Sequence, residues 1–97
     1  MQTKLTADQK EILADMKIDA ATMGIKVVND GNTTIAYMVQ GNTVRFSTSV
    51  TAPTEKKFRR KVGEYLALNR LIEDNEYVIM NKFDFVNMMT LVYYIVI

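Results

Sequence analysis

The sequence predicts an α+β fold: a helix, a three-stranded antiparallel meander, a second helix, and then a hydrophobic C-terminal element that is helix or strand. Three observations predict it. Thr6-Ala7-Asp8-Gln9 has the spacing of a capping box ahead of a helical apolar stripe. Asp30-Gly31 and Gly41-Asn42 are turn dipeptides separating three β-prone runs. Pro53, followed by a charged amphipathic segment, marks a second helix start.

In the first helix Ile12, Leu13, Met16, Ala20 and Met23 recur at about 100° per residue. Gly24 supplies the left-handed stop and Ile25 its hydrophobic contact. Asp8, Glu11, Asp15 and Asp19 form an acidic flank, and Lys10 and Lys17 form the other. The strands follow at Ile25 to Asn29, Thr33 to Val39 and Thr43 to Val50. The third alternates, Val44, Phe46 and Val50 against Thr43, Arg45, Ser47 and Ser49, as an antiparallel strand with one wet face does. In the second, Ile35, Tyr37 and Val39 are the expected core set, opposite Thr34, Ala36 and Met38. Both helices are expected on one face of this sheet.

The second helix is expected to run to about Glu73, with Phe58, Val62, Tyr65, Leu66 and Ile72 as its apolar face and Asn69 as a polar interruption. Asp74-Asn75-Glu76 breaks it. Tyr77 to Met80 reads as a fourth strand or a connector, and Asn81 as a helix cap answered by Asp84. Phe85 to Ile97 is apolar on nearly every side, so periodicity does not separate helix from strand there; helix is the leading reading.

Composition removes several chemistries. The chain of 97 residues is expected to form one domain, 1–97, with a net charge of +1 that implies no polyanionic partner by itself. It has no cysteine and no histidine, which rules out disulfides, thiolate metal sites, cysteine nucleophiles and the usual general base. No glycine-rich phosphate loop or metal-spacing motif is present, so no catalytic residue, cofactor or metal is expected. The polar start lacks a signal-peptide core, and the apolar end, about 13 residues, is shorter than a membrane span. A cytoplasmic, non-catalytic protein with no membrane partner is the expectation.

Two partner surfaces are expected. On a helical wheel Lys56, Arg59, Arg60 and Arg70 gather opposite Phe58 and Val62, with Gly63 and Ala67 between them. Small residues flanked by guanidinium forks would admit a phosphate or an acidic segment closely. The bland alternative is a solvated helix face. The C-terminal element offers Met89, Val92, Tyr93, Tyr94 and Val96. Either it covers the second sheet face over Val28, Ala36 and Met38, or it is left as an apolar interface, including a homodimer. The seven methionines of the chain add adaptable apolar surface.

The order helix, three strands, helix, with Lys56-Lys57 and Arg59-Arg60-Lys61 at the start of the second helix, resembles the double-stranded RNA-binding domain from about Leu5 to Ile72. That resemblance implies phosphate contacts by the basic helix. Phe58, Arg59, Val62 and Tyr65 stand where that family's helix is alanine-rich, and its histidine-bearing loop has no counterpart. The compact Cys-free, His-free composition also resembles that of small phage or mobile-element accessory proteins, some of which inhibit host enzymes. The leading expectation is a protein-binding, regulatory or inhibitor-type role. The alternative is nucleic-acid binding through the second helix.

Overall fold

The computed structural model describes residues 4–50 and 60–93. Lys56, Arg59, Tyr94 and Val96 therefore lie outside the described residues, as do Pro53, Phe58 and the rest of 51–59. The elements are α1 (Ala7–Met23), β1 (Lys26–Asp30), β2 (Thr33–Gln40), β3 (Thr43–Val50), α2 (Arg60–Leu68), a π-helical turn (Asn69–Glu73), β4 (Val78–Asn81) and α3 (Lys82–Val92). The strands form one antiparallel sheet in the order β1-β2-β3-β4.

The local signals act as their chemistry demands. The Thr6 hydroxyl accepts from the Gln9 amide at 3.2 Å while the Gln9 side chain accepts from the Thr6 amide at 3.0 Å. Gly24 ends α1 at φ 77°, and the Ile25 amide folds back to the Ala20 carbonyl at 2.8 Å. Asn81 caps α3, its side-chain oxygen accepting from the Asp84 amide at 2.8 Å. The α3 residues resolve the open choice for the C-terminal element in favour of helix as far as Val92.

Both faces of the sheet are covered, and the helices lie on the opposite faces from those expected. The large apolar side chains of the meander, Ile35, Tyr37, Val44 and Phe46, meet Phe85 and Met89 of α3. Helices α1 and α2 instead cover the small-residue face. Leu13, Met16 and Ala20 of α1 and Val62, Ala67 and Leu68 of α2 pack over Ala36, with Val27 and Met38 at the margin. Ser47 and Ser49, expected in water, are each only 4% exposed. The cause is volume. Ala36, Ser47 and Ser49 leave a shallow surface on which a helix backbone can sit close, whereas the bulky face is filled by one helix contributing Phe85 and Met89.

The α1 stripe is correspondingly narrower than predicted, with Ile12 and Met23 nearly half exposed. Strand β4 exists, and β3 outruns it: the pairing covers Thr43 to Phe46 only. On the far side of Phe46, the Ser47 hydroxyl donates to the Glu76 carbonyl at 2.6 Å and holds the incoming chain against β3.

Burial pushes the Tyr37 phenol above its ordinary value of 10.0. The fold therefore holds the neutral phenol, and the unfolded chain loses that proton first. The stabilisation is complete below about pH 10 and declines as pH rises toward the raised folded value. Urea midpoints at about pH 8 and about pH 10.5 should differ, and Tyr37→Phe should shrink that difference.

Candidate functional site

The predicted basic face is taken apart by the structure. Arg60 and Lys61 are exposed at the start of α2, but Gly63 is buried and Ala67 has no exposure at all. Their expected place in the middle of an outward cationic face is corrected: they belong to the inward side of a helix that lies against β2 and β3. Glycine and alanine suit that side because the strands beneath offer Ala36, Ser47 and Ser49, and small residues on both partners allow a short helix-to-sheet distance.

Arg70 also leaves the expected cluster. It sits in the π-helical turn, where the Asp74 amide bonds the Asn69 carbonyl at 3.0 Å and the Asn69 side chain reaches Asp74 at 3.1 Å. From there the guanidinium donates to the Thr48 carbonyl at 2.6 Å. Thr48 lies beyond the end of β4, so Arg70 caps a stretch of β3 edge that has no strand partner among the described residues.

Beside this cap lies an open cleft of about 440 Å³ lined by Ser47, Thr48, Arg70, Glu76 and Tyr77, with Phe46 and Val78 at its end. Arg45 lies over the Tyr77 ring, 5.2 Å from its centroid. The wet polar face expected of Thr43, Arg45, Ser47 and Ser49 is thus spent on structure. Thr43 donates to the Gln40 carbonyl at 3.0 Å, Ser47 to Glu76, and Arg45 stacks on Tyr77.

The flank of α1 that meets α2 is the basic one. Lys17 pairs with Glu64 at 2.7 Å, and the Glu64 side chain is 11% exposed against 50% for Lys17. The buried carboxylate oxygen has no hydrogen-bond partner besides this ammonium, which supplies its compensation. Lys10, Lys17 and Lys61 rim a groove of about 170 Å³ floored by Leu13 and Ala14. Such a rim can attract anions, though one of its three charges is already matched by Glu64. The acidic residues Asp8, Glu11, Asp15 and Asp19 stay exposed along α1, and no metal-holding group of three or more acidic residues occurs among the described residues.

The C-terminal candidates divide in two. Met89 has no exposure and belongs to the core, which corrects its placement on a partner surface; Tyr93 is half buried against the same cluster. Val92 is 60% exposed. Leu91, part of the apolar C-terminal segment read from the sequence, is 72% exposed, and the structure adds Phe83, which precedes that segment, at 75%. They stand eight positions apart on α3 with Asn87 between, so they share its outward stripe. That spacing is visible in the sequence, but only after Phe85 and Met89 are known to point inward. Among the described residues no helix is long and apolar enough to cross a membrane.

No protein-family model, curated protein or solved structure matches this chain.

Proposed function

We propose that this protein acts by binding another protein, in a regulatory or inhibitory way, through the outward side of α3. The observation that carries the reading is the exposure of Phe83, Leu91 and Val92 on a helix whose inward side is fully buried. Scattered apolar residues on a surface are ordinary, but side chains this large and this exposed on an 11-residue helix, in a sequence that continues as Tyr94-Ile95-Val96-Ile97, favour a contact surface. A binding rather than a catalytic role is supported by the use of the polar groups within the fold. Ser47, Arg70 and Thr34 are each engaged with a backbone carbonyl or with Asn29.

The nucleic-acid reading rests on a smaller base than the sequence suggested, with Arg70 committed to Thr48 and Gly63 and Ala67 turned inward. Among the described residues, what remains for it is Arg60, Lys61 and the lysine-rimmed groove; Lys56, Lys57 and Arg59 lie outside them.

One comparison separates the two. The wild type, Leu91→Glu and the double variant Arg60→Glu/Lys61→Glu are immobilised and challenged with lysate of the source cells at about 0.1 M and about 0.5 M salt. Protein capture that survives salt and the α2 reversal but is lost in Leu91→Glu is the expected result. Retention of nucleic acid that falls steeply with salt and disappears in the α2 variant would replace the reading with the alternative.

A further inference from the structure

We infer that the outer edge of β4 pairs with the same edge of a second copy of this chain, joining two sheets across a two-fold axis. This goes beyond the α3 reading and uses a different surface.

The sheet has two edges, and the fold treats them differently. Strand β1 carries Lys26 and Asp30, charges of the kind that discourage edge pairing. The β3 edge beyond β4 is capped by Arg70. Strand β4, Val78-Ile79-Met80-Asn81, has no charge, proline or covering strand among the described residues, and Val78 and Ile79 are 53% and 55% exposed.

Backbone direction makes this edge competent to pair. The Lys82 amide donates to the Asn42 carbonyl at 2.7 Å, in register with the Thr43–Asn81 and Val44–Met80 partners. In an antiparallel ladder alternate residues point both backbone groups to the same neighbour. Lys82, Met80 and Val78 therefore address β3, while Ile79 and Asn81 present their N–H and C=O groups outward.

Charge then selects the register. With the two-fold through Ile79, Ile79 meets Ile79 of the second copy, exchanging both hydrogen bonds, and Val78 meets Met80. Glu76 falls opposite Lys82, twice by symmetry. Among the described residues neither forms an ion pair within its own chain. Lys82 also occupies the first turn of α3, where a cation opposes the helix dipole and gains from a carboxylate neighbour. Of the two neighbouring registers, the one centred on Met80 would set Glu76 against Asp84, two like charges. The one centred on Val78 would leave Glu76 opposite uncharged Met80 and bring to Lys82 only Asp74, which is held in a helical conformation at the end of the π turn.

Sedimentation equilibrium of the full chain from about 1 to about 500 µM tests this, since a short strand with one aromatic neighbour favours micromolar association. The wild type should pass from monomer to dimer. Ile79→Pro should remain monomeric with an unchanged circular dichroism spectrum, because the lost amide points away from β3. Glu76→Lys should weaken the dimer about tenfold, and adding Lys82→Glu should restore it. If the proline disturbs the fold, this charge cycle decides alone.

A wild type monomeric throughout overturns the inference, as does a dimer indifferent to both the proline and the charge cycle. Loss of that dimer in Leu91→Glu would assign it to α3 instead. A monomer that dimerises only when residues 94–97 are deleted would show that the chain's own end occupies the edge, and would equally overturn it.

Discussion

Replacing Phe85 with alanine is expected to remove about 3–5 kcal/mol of stability, the largest loss of any single truncation in α3. Phe85 is 1% exposed, and its ring lies 5.1 Å from that of Tyr37 and 5.2 Å from that of Phe46, tilted by 46° and 50°. Tilted pairs at this separation add to area burial through the favourable edge-to-face component. One side chain thus joins α3 to both central strands. A domain of this size has about 5–15 kcal/mol in total, so the variant should sit near the edge of folding at room temperature. Urea unfolding followed by circular dichroism measures the loss. Leu91→Ala, on the outward stripe of the same helix, should change stability by less than about 0.5 kcal/mol. Equal losses at the two positions would mean that α3 does not divide into a core side and a free side, and the partner surface assigned to it would go with that division.

The contrast between Phe85 and Leu91 also shows what the amino-acid pattern could convey. Strand alternation in β3 and the turns at Gly31 and Gly41, with φ of 56° and 62°, are local facts, and they were legible. The assignment of helices to faces was not. Strand β2 is apolar on both sides, Ile35 and Tyr37 on one and Ala36 and Met38 on the other, so its period gives the parity of each residue without saying which helix it meets. What decides is the match of bulk across the interface, a property of two segments taken together. Arg70 was misplaced together with Gly63 and Ala67. The three stand at i, i+4 and i+7 on one stripe, and that stripe turns toward the sheet, where the π turn beginning at Asn69 holds Arg70 against β3. Asn69 was visible as an interruption, but its bond to Asp74 belongs to the folded turn. The exposed Phe83 shows the reverse case: a residue whose hydrophobicity predicts burial, on a helix that has only one side to bury.

Ala67→Leu carries the second large expected effect, a loss of about 1–3 kcal/mol, which lowers the melting temperature of a domain this size by roughly 4–8 °C per kcal/mol. Leucine is as good a helix former as most residues, so propensity alone predicts almost no change. On a solvated cationic face the substitution would be nearly silent. Ala67, however, is fully buried, in a cluster with Ala36, Val62 and Leu68, on a helix that lies against β2 and β3. The added carbons must displace either the helix or the strands. Displacement of α2 would also strain the Lys17–Glu64 pair that ties it to α1 and the Arg70 bond that ties the following turn to β3. Arg60→Leu, at an exposed position about two turns earlier, introduces the same side chain without that constraint and should stay within about 0.5 kcal/mol of the wild type. Thermal unfolding of the two variants side by side checks the result. A stable Ala67→Leu would return Gly63 and Ala67 to the surface, and with them the close anion approach that the buried face precludes.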